Sequence, residues 1–500
     1  MRCVPVFFAL LVTAVLAPAL SFAADPDNAP DEGGIETRAA HTRLTLENVK
    51  LPGDEHIGLL GTSYLVDMTK SGGWALGPAV YGAVTGHRGG FFTFGGEAAW
   101  RKSLLGPFGV ELGLYAGGGG GGGAPQGGGL MLRPHVDLLW EARQYAFGLS
   151  VAKVKFPNGQ IDSTQVGLVL DVATDFNFFP ARQLDTPAAT GTRTGVSFDR
   201  LQIVGAVYRT RSGSTLSDGS AAPRNIRTVG IRGEQSWGSN AYWGIEAAGA
   251  AQSGVAGYAE YLGTLGIEGE AIRDHLHVGA RVALGMAGGG GVSVGGGLFT
   301  KAALYSVVRL SNDFGVSIEG GLAAAPQGNF RAASLSAALV WVLDSREGGV
   351  VAARPVRTDF SGGLERFDAA RHDGSTRALT ANILKADRFL SSNFYVSGQV
   401  QSAVAGGAGG YSAALIGAGW LQPLSPRWSA GAELLAGAAG GGGVDSHGSI
   451  VQPTVYAGLQ ITPAIGLRVS GGRVKSVSGP LSSNIVNCLL TVTYGVSSGG

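Results

Sequence analysis

Residues 108–130 read FGVELGLYAGGGGGGGAPQGGGL. The first part alternates. Phe108, Val110, Leu112 and Leu114 fall on one side of an extended chain, with Gly109, Glu111 and Gly113 on the other. A glycine run follows, from Gly117 to Gly129, broken only by Ala124-Pro125-Gln126. Alone, such a run is low complexity and says little. Here it returns, as GGGGVSVGGG at 288–297 and AGAAGGGGVDSHG at 436–448. Each copy sits between amphipathic runs, so the chain reads as three copies of one unit.

The surroundings of the run support this. Ala83-Val84 and Gly89-Gly90 match Ala403-Val404 and Gly409-Gly410 without gaps, Trp100 matches Trp420, and Lys153-Val154-Lys155 matches Arg473-Val474-Lys475. The second unit is looser. Strands are expected in the first unit at 42–51, 56–68, 74–86, 90–104, 108–117, 130–142, 145–156 and 163–176. Turn signals such as Gly106-Pro107 and Pro157-Asn158-Gly159 separate them. The expected repeats span 41–179, 196–345 and 357–496, joined by linkers at 180–195 and 346–356, with a tail at 497–500.

The N-terminus carries one positive residue, Arg2, then an apolar run and Ser21-Phe22-Ala23. This predicts a secretory signal peptide over 1–23, cleaved near Ala23. An acidic, apolar-poor lead-in follows at 24–40 and is expected to be disordered. The remaining chain holds one cysteine, Cys488, which excludes an internal disulfide or a thiolate metal cluster. Glycine supplies 85 of 500 residues and charged residues only 15%, with a net charge of +1. No strong field exists to attract nucleic acid.

Alternation also fits a soluble sandwich, but that fold would show water a charged face. Here the face opposite the large apolar residues is Gly, Ala and Ser with isolated charges, as in Tyr145–Val151 (YAFGLSV). Turning the apolar face to lipid and the small face to a lumen resolves the conflict, and backbone pairing then demands closure. Aromatics near strand ends, Trp100, Trp140, Tyr145, Trp237, Trp243, Trp341, Trp420 and Trp428, are candidates for interface girdles. The expected fold is all-β: an antiparallel transmembrane β-barrel of about 24 strands built from three eight-stranded repeats. Three tandem eight-stranded barrels are the alternative. The small inward residues Gly148, Ser150 and Ala152 argue for one wide lumen, since an eight-stranded interior must be filled by side chains.

On this pattern the chain resembles bacterial outer-membrane β-barrel proteins over about 45–496. The resemblance implies a Gram-negative outer-membrane location, with membrane lipid and the barrel-insertion machinery as partners.

Glu111, Arg281 and Glu433 occupy equivalent positions just before the glycine runs, on the small-residue face. They read as lumen charges, either a ring lining one pore or locally paired groups. The hairpins marked by Gly117, Gly129, Gly288, Gly297, Gly440 and Gly443 read as flexible surface loops, or as loops folding inward to narrow the lumen. No catalytic, metal or cofactor set is expected. Gly291–Gly295 (GVSVG) matches a nucleophile elbow but has no helix after it. Asp445-Ser446-His447 is a polar hairpin tip, and His135 lacks counterparts in the other units. The expected function is a pore, or the channel part of a transport or export system. The alternatives are a structural or adhesive surface barrel and, more remotely, a lipid-modifying barrel enzyme.

Overall fold

The computed structural model describes residues 34–497, apart from 70–71, 185, 187, 191–192, 274, 344–350 and 354. The expected signal peptide, the lead-in up to residue 33 and residues 498–500 lie outside the described residues.

Alternation becomes strand wherever it was read. In the first repeat the strands are Glu36–Lys50, His56–Asp67, Trp74–Thr85, Phe92–Ser103, Phe108–Gly120, Met131–Ala142, Tyr145–Lys155 and Asp162–Pro180. Each pairs antiparallel with the next. The first then pairs with the eighth, His41 opposite Ala173, and closes the ring. The second repeat closes in the same way, Arg200–Thr210 against Arg331–Val342 with Val204 opposite Ala338. The third closes Val356–Ala370 against Ser482–Val496, with Phe360 opposite Val492. The favoured single 24-stranded barrel is therefore corrected. The chain forms three eight-stranded barrels side by side, each complete before the linker that follows it. The first strand also begins at Glu36, inside the segment expected to be disordered.

The size argument for a wide lumen fails for a local reason. Several inward glycines are not vacancies, because they sit beside a large inward side chain on a neighbouring strand. A Cβ on Gly113 would lie 2.1 Å from His135 Nε2, on Gly419 2.2 Å from Tyr395 Cζ, and on Gly266 2.3 Å from Tyr242 Cζ. Small residues make room for the arginines, tyrosines and acids that fill each ring.

Outside, the strands are apolar. Leu112, Leu138, Leu149, Ile245, Leu284 and Leu335 are all exposed on the outer faces. The tryptophans sort by end. All eight lie at the end of their barrel that carries the chain termini and linkers, from Trp74 at the start of its strand to Trp428 at the start of its own. At that end Ala188–Thr190 pairs with Val351–Ala353, and Tyr494 and Gly495 pair with Pro180 and Phe179.

The glycine runs lie at the opposite end and are not free hairpins. The fifth strand continues to Gly120, and the chain leaves it through five successive positive φ values at Gly119–Gly123. Gly288–Gly291 and Gly441–Gly443 repeat the feature. Side chains rarely adopt this region, which is why the runs are glycine. The turn formed packs on the next barrel. The first barrel's run meets the third barrel's 403–410 turn, where Gly410 N donates to Gly119 O at 2.9 Å and Gly409 N to Gly127 O at 3.1 Å. The second barrel's run meets the first barrel's 83–90 turn, Gly89 N donating to Gly295 O at 2.9 Å. The third barrel's run meets the second barrel's turn, where a Cβ on Gly257 would lie 2.7 Å from Gly441 N. Three head-to-tail contacts close a ring with pseudo-threefold symmetry.

Candidate functional site

Each lumen is a site in itself, built from inward positions of the eight strands. In the first barrel Arg43 is fully buried at the centre. Its guanidinium reaches Glu97 at 3.3 Å, Asp137 at 3.3 Å and Asp171 at 3.0 Å, and also contacts Glu111. Arg101 joins Glu111 at 2.8 Å and also meets Asp171. Arg133 pairs with Glu47 and donates to Tyr81 Oη at 3.2 Å. Tyr81 in turn donates to Glu97 at 2.9 Å.

The second lumen repeats the chemistry with other residues. Arg281 pairs with Glu234 at 2.5 Å and with Glu319; Arg232 pairs with Glu246 at 2.6 Å; Arg200 with Glu268 at 2.7 Å; Lys301 with Glu246 and, at 3.1 Å, Glu260. In the third, Glu433 takes Lys385 at 2.5 Å and Arg468 at 3.2 Å and accepts from Tyr395 at 3.0 Å. Buried charges of this kind persist only when paired, because stripping their water costs several kcal/mol per ion.

Toward the glycine end each network is capped by apolar side chains. The first barrel gathers Ile57, Leu59, Phe91, Tyr115, Met131, Phe156 and Ile161 there, all buried. The second gathers Tyr258, Phe299 and Phe330, and the third Phe367, Leu379, Tyr411 and Leu481. Polar centre and apolar cap together leave each lumen occupied by the protein itself.

Glu111, Arg281 and Glu433 are thus placed inside barrels, each buried, but in three different lumens. The ring reading is corrected: closure into three barrels separates them, and each is paired locally. Sequence reasoning found one charge per unit and missed their partners Arg43, Glu234 and Lys385. Inward parity on the first, second and neighbouring strands was the available signal.

The glycine markers are corrected likewise. Gly129, Gly288, Gly297 and Gly440 are buried in the contacts between barrels, Gly117 is buried against Tyr115 and Phe94 of its own barrel, and Gly443 alone is exposed, so the runs are neither free surface loops nor lumen constrictions. Arg88 further fixes the first run, donating to Gly123 O at 2.8 Å while paired with Glu55. Arg371 does the same in the third barrel, donating to Gly442 O at 2.9 Å.

His135 faces the first lumen between Asp137 at 3.1 Å and Glu97 at 3.2 Å, while Ser150 accepts from Arg133 at 3.3 Å. Glu111, His135 and Asp137 offer donor atoms close enough for a metal, as do His41, Glu111 and Asp171. Arg43 already supplies the cation to Glu111, Asp137 and Asp171. Ser293 lies in the loop between strands, with no helix after it, and Ser446 donates to Ala439 O at 2.7 Å.

Closed antiparallel barrels, apolar outside and charged within, are the general pattern of bacterial outer-membrane β-barrel proteins, and the chain follows that pattern. No protein-family model and no curated protein matches the sequence. Among solved structures it is similar to Pseudomonas aeruginosa OccK11 (OpdR), at 11% identity over 93% of this chain and 98% of that chain, with a TM-score of 0.22. It is similar to Acinetobacter baumannii OccAB3 at 10% identity, 92% and 99% coverage and a TM-score of 0.22. The outer membrane channel DcaP of Acinetobacter baumannii matches at 8%, 93% and 99%, with a TM-score of 0.20.

Proposed function

We propose that the protein is an integral outer-membrane protein of three fused barrels, a channel-class assembly whose lumens are closed at rest by their own ion pairs and apolar caps. The observation that carries the membrane reading is the pairing of surfaces. Exposed Leu, Ile and Val cover the outside, while Arg43, Arg133 and Arg232 are fully buried inside. Water as the outer solvent would favour the reverse arrangement. The tryptophans then mark one membrane boundary, at the linker end. A signal peptide at 1–23 and delivery through the barrel-insertion machinery belong to the same proposal.

Reconstitution in planar bilayers tests it. The expected record is a low baseline with rare openings, and larger, longer openings in a variant lacking the first barrel's cap, Phe91→Ala with Phe156→Ala. Silence from both the native protein and the variant in bilayers that demonstrably contain the protein overturns the channel reading. The filled lumens equally favour a second reading, a non-conducting structural barrel, and that silence is its signature. Failure of the chain to enter bilayers at all overturns the membrane reading itself.

A further inference from the structure

The space between the barrels differs from the space inside them. Around the pseudo-threefold axis the three outer faces turn toward one another and enclose a cavity of about 960 Å³. Its walls are outward-facing residues: Val80 and Phe94 of the first barrel, Ile231 and Ile245 of the second, Leu384 and Ile416 of the third. These are the same residue types that cover the rest of the exterior. The glycine contacts lie at one end of this space, with Gly257 and Gly440 on its wall. Polar groups collect at the other, linker end, where Gln144, Asn177, Gln235 and Arg193 line it and Arg193 is paired with Asp199 at 2.8 Å.

The cavity has an identifiable origin in the repeats. The third residue of the fourth strand is Phe94 in the first barrel and Tyr261 in the second. The two rings pack against each other, their planes tilted by 56° and their centroids 4.8 Å apart. The third barrel carries Ala414 at that position. Nearby, Gly398 lines the cavity, and a Cβ built on it meets nothing within 4 Å. Two barrels fill the axis and the third leaves it open.

We propose that this cavity is a binding site for one long-chain lipid, its acyl chain along the axis between the barrels and its polar head at the linker end. The inference rests on the membrane reading above. An apolar space of this size is at the upper end of ligand sites, which run about 300–1,000 Å³. Its walls match the lipid-facing exterior, so a hydrocarbon chain enters it with no change of solvent. Water there would find few partners, and dry apolar cavities take apolar guests. Nothing in the walls selects a headgroup, so the shared chemistry is the acyl chain, from a membrane phospholipid or a free fatty acid.

The test is native mass spectrometry of the intact chain, extracted from membranes in a detergent without an alkyl chain, followed by lipid identification. The expected result is a retained lipid adduct; its mass separates phospholipid from fatty acid. Ala414→Phe restores the aromatic residue the other barrels carry, and Gly398→Leu extends a side chain into open space. Both are expected to abolish the adduct while leaving heat-modifiable migration and bilayer insertion unchanged. A bare protein, or an adduct of detergent only, overturns the proposal, as does an adduct undiminished in both variants. A chain that fails to insert into bilayers indicts the membrane reading instead.

Discussion

Two interiors of this molecule were built by opposite rules. Inside a barrel, Arg43 holds several carboxylates with none of its surface exposed. Between barrels, the contacts are backbone on backbone at Gly90 and Gly289, and ring on ring at Phe94 and Tyr261. The difference follows from what each surface faces before it packs. A lumen face closes on itself, so it satisfies its charges across the ring. An outer face is apolar already, and neighbouring barrels meet there by close fit. Glycines at these contacts let the two backbones approach closely.

The comparison breaks first at the lumen. Arg43→Met leaves Glu97, Glu111, Asp137 and Asp171 without their shared cation, and a loss of about 3–5 kcal/mol is expected for removing one partner of a buried network. Urea unfolding from lipid vesicles reads it. An unchanged midpoint would show that water, not Arg43, neutralises the lumen.

At the barrel contact, Gly90→Val combines a positive φ of 88° with a Cβ 2.1 Å from Gly289 N. A cost on the order of 3 kcal/mol is expected. Single-barrel signatures should survive in circular dichroism while protease gains access to the linkers. Simultaneous loss of barrel structure would mean that the barrels cannot stand apart.

On the outside, Val136→Arg places a charge on an outer face between the inward His135 and Asp137. In lipid it is expected to cost upwards of about 2 kcal/mol. A soluble protein would register almost nothing, so this variant separates the two solvents directly.

The smallest effect concerns pH. The Arg88 guanidinium holds the Glu55 carboxyl below its ordinary value. A depressed carboxylate stabilises the fold above its unfolded value and loses that contribution as pH falls through the folded one. Protection of the Gly122–Gly123 segment, whose carbonyls Arg88 grips, against amide exchange, taken relative to the intrinsic rate at each pH, should therefore fall on acidification below the ordinary glutamate range and be low at every pH in Arg88→Ala.

Strand positions and the all-β class were legible in the sequence because alternation and turns are local. Closure was not, since eight or 24 strands alternate identically. The deciding information was register, which alone shows that Gly419 lies beside Tyr395 and Gly113 beside His135. Glu111, Arg281 and Glu433 were recognisable as inward by parity, yet their partners came from strands far along the chain. The glycine runs were misread because their role is a contact with another barrel, and no single unit contains both halves of it.

The axis position held by Phe94, Tyr261 and Ala414 has one more implication. Three identical subunits would be forced to repeat whatever residue stood there, crowding the centre with three rings or emptying it with three methyls. Covalent fusion lifts that constraint. Each copy can drift independently while the shared architecture persists, and the place where such drift is least costly is a point all three touch and none depends on alone.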